Sequence, residues 1–110
     1  MIETTLNEIE AKIRAAESVS AERKHELLQL LGTLKAEVNK LSQTHDEQAQ
    51  SIAGFARLST QEATRTQQNP QSLHHSLEGL KSSVEGIEKS HPKLVQIVNN
   101  ISNTLSNLGI

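Results

Sequence analysis

A chain of 110 residues in which 35% are apolar and Phe55 is the sole Phe, Tyr or Trp holds one domain at most, with Leu, Ile and Val filling its core. Its formal charge of −2, from 13 acids against 11 Lys and Arg, lacks the basic excess that phosphate binding needs, so no nucleic-acid partner is expected. The lack of cysteine removes disulfides, zinc–thiolate sites and thiol nucleophiles and suits the cytoplasm. No apolar run approaches the ~18 residues of a membrane span, and Met1 leads straight into an amphipathic pattern, so neither a transmembrane segment nor a signal peptide is expected.

The first predicted helix covers about 2–18. Ile2, Leu6, Ile9, Ile13 and Ala16 fall on one stripe, and Glu10 and Arg14 form an outward i,i+4 pair. Ser20 is a suitable N-cap for the next helix, with Glu22 in its first turn where the helix dipole favours an anion. There Leu27, Leu31, Leu34, Val38 and Leu41 share a seam that passes through His45 and Gln48 and resumes at Ile52 and Phe55. No proline interrupts this region, so the polar stretch 42–50 reads as part of one helix over about 21–66, about 69 Å long at ~1.5 Å per residue. A loop at 42–50 joining two shorter helices is the alternative.

A turn at 67–69 ends in Asn69-Pro70, an N-cap followed by a proline whose missing N–H costs nothing in a first turn. A third helix follows over about 70–108. Its seam is Leu73, Leu77, Leu80, Val84, Ile87, His91, Leu94, Val98, Ile101, Leu105 and Leu108, in alternating steps of four and three. Pro92 imposes a kink or break at 90–92. Gly109 fits a left-handed cap, with Ile110 folding back on Leu105.

These elements predict an all-α, coiled-coil-like fold: an antiparallel hairpin of two long helices, the second kinked near Pro92, plus a short N-terminal helix. Equal distances from the turn place Leu105 and Leu108 beside Leu28, Leu31 and Leu34, where wide apolar faces suit a three-helix base. The stalk nearer the turn is too poor in apolar residues to stand as two helices. A second stripe, Ser72, Ser76, Gly79, Ser83, Gly86 and Ser90, offers a way to close it. Glycine inside a helix costs ~1 kcal/mol against alanine, so a compensating close contact is expected, with Ala49, Ala53, Gly54 and Ala56 giving the opposite stretch a small-residue surface. The expectation is an elongated homo-oligomer, a dimer first of all, joined through this stripe. A mobile solvent face is the alternative. From Leu94 to Ile110 no side chain is charged, a surface open to a partner or simply neutral.

In the hairpin register His45 and His91 fall at nearly the same level. A dimer would bring four such histidines together, the candidates for a metal site or a pH-sensitive layer. Polar seam residues also fix register without binding anything, and no metal or other cofactor is otherwise expected. His25, His74 and His75 read as surface residues. No phosphate loop, buried carboxylate pair or Ser-His-acid set is present, so no catalytic residue is assigned and no enzymatic activity is expected.

Several runs resemble a family of small bacterial proteins, domain-of-unknown-function family 4404: Ser51-Ile52-Ala53-Gly54-Phe55, Glu62-Ala63-Thr64-Arg65, Asn69-Pro70, Ser90-His91-Pro92 and Asn107-Leu108-Gly109-Ile110. The resemblance implies a bacterial, all-α, soluble protein and supplies no activity, ligand or site residue. From the residues, the expected role is a non-enzymatic, self-associating helical scaffold or adaptor. The alternatives are a peripheral module docking an amphipathic helix on a membrane or larger partner, and a histidine-based metal-binding bundle.

Overall fold

The structure, a computed structural model, describes residues 2–108. These form helices α1 (Ile2–Ala15), α2 (Ala21–Ser42), α3 (Asp46–Ala63), α4 (Pro70–Ser82) and α5 (Pro92–Leu108), with no strand among the described residues. The fold is all-α, as composition and periodicity require. The expected cap at Gly109 and Ile110 lies outside the described residues.

The helix starts follow local chemistry. The Ser20 side chain accepts from the Arg23 N–H at 3.2 Å, capping α2. Asn69 accepts from the Gln71 and Ser72 N–H groups with Pro70 behind it, capping α4. The first helix stops at Ala15 rather than Ser18, followed by a tight turn that buries Ala16 and Val19.

The long second helix is corrected to two helices. At 43–45 the chain turns, and His45 takes φ −137° and ψ 66°, outside the helical region. Ser42 and Thr44 hydroxyls donate to the Asn39 and Leu41 carbonyls, local bonds that compete with helix continuation. Asp46 and Glu47 then occupy the first turn of α3, where the dipole favours them. The third helix is likewise divided, and not by a simple kink at 90–92. Helix α4 ends at Ser82, turns fill 83–91, and Gly86 takes φ +90°, a conformation that side chains resist. Pro92 then opens α5 as its first residue and avoids the interior clash.

Both breaks fall at the same level, so the expected hairpin is folded over on itself. Gln48 at the start of α3 donates to the Ser83 carbonyl after α4 (3.2 Å), and Gln68 before α4 donates to the Leu108 carbonyl ending α5 (3.2 Å). Thr104 near the end of α5 donates to Glu26 near the start of α2 (3.1 Å). These contacts define an up-down-up-down bundle of α2, α3, α4 and α5, in which α3 and α5 meet across the middle while α2 and α4 stay apart. The chain measures 37 × 23 × 22 Å, too short for a single helix of about 69 Å. The thin stalk foreseen for two helices acquires two more from its own chain, which supplies the burial it lacked.

Helix α1 packs against α2 and α3 through Leu6, Ile9 and Ile13, all nearly fully buried. Burying side chains of this size contributes roughly 1.5–3 kcal/mol each. Its polar rim is tied down as well. Lys35 reaches Glu10 at 2.6 Å and Asn7 at 3.4 Å, Arg57 lies 3.8 Å from Glu8, and Lys24 donates to the Arg14 carbonyl at 3.0 Å. The hydrogen bond from Lys35, then that from Arg14, holds the Glu10 carboxyl below the usual carboxylate range.

The two hairpins, α2–α3 and α4–α5, share a sequence pattern 46 residues apart. Leu27, Leu31, Leu34, Lys35, Val38 and His45 meet Leu73, Leu77, Leu80, Lys81, Val84 and His91, while Leu41 and Thr44 meet Ile87 and Ser90. Helices α3 and α5 begin at the matching positions Asp46 and Pro92. The packing follows suit, because exchanging the hairpins turns the α2–α5 contact into α4–α3, and both pairs are present.

Candidate functional site

Two places concentrate the unusual residues. The first is the α3–α4 seam. On α3, Ala49, Ala53 and Ala56 are fully buried, on a different face from Phe55. Gly79 on α4 lies under the Phe55 ring: a Cβ there would stand 2.4 Å from Phe55 Cε1. The close contact that offsets this glycine's helix cost is therefore made inside the chain. Phe55 remains 37% exposed and Leu58, one turn on, 39% exposed. Phe55 lines a shallow groove of about 480 Å³, with Ser51, Gly79 and Ser83 among others.

The proposed interface stripe is not one helix face. Ser72 is partly buried on α4, and Ser76 is buried with its hydroxyl donating to the Leu73 carbonyl at 2.9 Å. Gly79 is covered by Phe55, and Ser83 ends α4 as its C-cap, its hydroxyl bonded to the Leu80 carbonyl at 2.6 Å. Gly86 and Ser90 lie in the following turns, beyond any helix. Their serine and glycine chemistry terminates a helix and does not continue it.

The second place is the pair of upper turns. His45 and His91 come together with ring centroids 6.4 Å apart and planes at 81°. Each caps a helix start: the Ala49 N–H donates to the His45 carbonyl and the Val95 N–H to the His91 carbonyl. Each backbone N–H in turn bonds the residue four back, Leu41 at 2.7 Å and Ile87 at 2.8 Å. Each ring Nδ1 meets the preceding hydroxyl, Thr44 at 2.8 Å and Ser90 at 3.0 Å. The seam phase places the two histidines at one level. The hydroxyls that hold them were not singled out in the sequence, although the matched Thr44-His45 and Ser90-His91 pairs carry that signal.

The remaining histidines stay apart from this site. His74 pairs with Glu78 on the surface, His75 packs beside His74, and His25 is exposed. Among the described residues no three His, Cys, Asp or Glu side chains cluster in a metal-binding arrangement, and no helix is long and apolar enough to cross a membrane. The uncharged face of α5 is open: Asn99, Asn100, Asn103, Ser106 and Asn107 are exposed, while Ser102 and Thr104 turn inward.

No curated protein and no solved structure matches this chain. The family described as Domain of unknown function (DUF4404) matches over residues 27–110, from within α2 to the end, leaving α1 outside. That span takes in both hairpins, both histidine turns and the α3–α4 seam, and the chain is a member of the DUF4404 family.

Proposed function

We propose that this protein is a non-enzymatic helical scaffold or adaptor that works through protein–protein contact, first of all by pairing with a second copy. One observation carries the reading: Phe55, which lines an open groove, and Leu58 both stand exposed on α3. Single exposed apolar residues are ordinary, but an aromatic and a leucine three positions apart on one helix make a small anchor patch. The net charge of −2 leaves little repulsion between copies. The contact face moves accordingly from the Ser72–Ser90 stripe to its edge, where Ser51, Phe55 and Leu58 follow one another at helical spacing.

Sedimentation velocity of the untagged protein over a concentration range tests this. The wild type is expected to form a reversible dimer, and Leu58→Glu to remain monomeric with unchanged helical circular dichroism. A wild type that stays monomeric throughout, or a Leu58→Glu variant that dimerises equally well, would refute the reading. Gly79→Leu is a poor probe because it displaces Phe55 within the chain.

A further inference from the structure

We propose that the paired upper turns form a two-histidine site for a late first-row divalent metal ion, held through Nε2 of His45 and Nε2 of His91. The site does not depend on self-association, since both ligands belong to one chain. Its basis is the repeat. The same hydroxyl–histidine pair ends the seam of each hairpin, and the fold brings the two rings together edge-on, their centroids 6.4 Å apart.

The surroundings prepare the rings for this chemistry. The Thr44 hydroxyl lies 3.4 Å from the Leu41 carbonyl and 2.8 Å from His45 Nδ1, while the Ser90 hydroxyl lies 3.4 Å from the Ile87 carbonyl and 3.0 Å from His91 Nδ1. A hydroxyl has one proton. When it gives that proton to the carbonyl, its oxygen accepts from Nδ1–H, and the Nε2 lone pair is left for a metal. An outer partner on the second nitrogen is what a metal-ligating imidazole ordinarily has. Metal binding selects this tautomer on both rings together.

The distance is suitable. With Zn–N bonds of ~2.0–2.1 Å, two imidazoles sharing an ion have centroids roughly 5–6 Å apart, according to the angle at the metal. The 6.4 Å seen here lies just beyond that range, and the rings are free to rotate toward a shared ion because His45 is exposed and His91 partly so. Two imidazoles, with water completing the shell, suit Zn²⁺ and, more tightly, Cu²⁺.

Titration of the untagged, chelator-treated full chain with zinc chloride or copper chloride, followed by calorimetry, tests the assignment. One ion per chain is expected. His45→Asn and His91→Asn, which keep a residue able to cap a helix, should each weaken binding at least ~10-fold. A His74→Asn/His75→Asn variant should bind as the wild type does. Substoichiometric Cu²⁺ added to the wild type should broaden the ring signals of His45 and His91 before those of His25, His74 and His75, a readout that needs no variant to fold. Absence of binding, binding untouched by either single substitution, or first broadening at His74 and His75 would overturn the proposal.

Discussion

The two hairpins carry one seam pattern and meet different fates. In the first, α2 runs 22 residues and is followed by three residues before α3; in the second, α4 stops after 13 and nine residues intervene before α5. Gly86 stands where the first hairpin has Lys40, and Ser82 and Ser83 where it has Ala36 and Glu37. Exchanging helix formers for serine and glycine shortens the helix even though Val84 and Ile87 keep their places in the core. A seam therefore specifies which residues are buried, while the residues between seam positions decide whether the backbone stays helical.

The hairpins differ also in what covers them. The first carries α1, held by Lys35 to Glu10 and by Arg57 to Glu8. The matching positions in the second are Lys81 and Asn103, both exposed. Arg57 has an uncharged counterpart there, and the buried Ala56 is replaced by Ser102, whose buried hydroxyl has no protein partner. The second hairpin thus repeats the bundle-facing seam and departs from the first on its outer side.

The largest test of equivalence is truncation at matched seam positions. Leu34 and Leu80 are both fully buried, so Leu34→Ala and Leu80→Ala should each cost about 2–5 kcal/mol in denaturant unfolding. A large loss at one position and a negligible loss at the other would break the comparison. A sharper probe separates the glycines. Gly86→Ala places a side chain at φ +90° and should destabilise by about 1–2 kcal/mol. Gly32 lies inside α2, and a Cβ there meets nothing within 4 Å, so Gly32→Ala should stabilise by about 0.5–1 kcal/mol. Opposite signs in thermal melts are the expected result, and equal signs would contradict the assigned turn.

The smallest effect concerns α1. Because Lys35 and Arg14 depress the Glu10 pKa in the folded state, this carboxylate contributes stability above its unfolded pKa, and the contribution is lost as pH falls through the folded value. Lys35→Met should therefore lower the melting temperature slightly near neutrality and leave a shallower decline in acid. Parallel curves for wild type and variant between pH 7 and pH 3 would remove the Lys35 link from the account.

Much of this fold is legible in the sequence because leucine spacing is a strong signal. Most core residues from Leu6 to Leu105 and the level of His45 against His91 follow from it, although the seam also includes Phe55, which is exposed; the Ser20 and Asn69 caps follow instead from residue chemistry. The two breaks are less legible. The 42–50 stretch keeps the seam phase through His45 and Gln48, which masks the local competition from the Ser42 and Thr44 hydroxyls. Of the small-residue stripe only Gly79 makes a close contact, and the sequence cannot say whether it meets another chain or Phe55 of its own.

The central claim is that the chain folds back at both histidines, bringing matched turns of two hairpins into contact. Nuclear Overhauser contacts between the His45 and His91 side chains, measured in metal-free untagged protein at a concentration where it is monomeric, test it most directly. The account predicts ring-to-ring cross-peaks between these two residues, together with contacts from Phe55 to Gly79. Continuous sequential helical contacts through 42–50, with no cross-peak between the histidines, would contradict it.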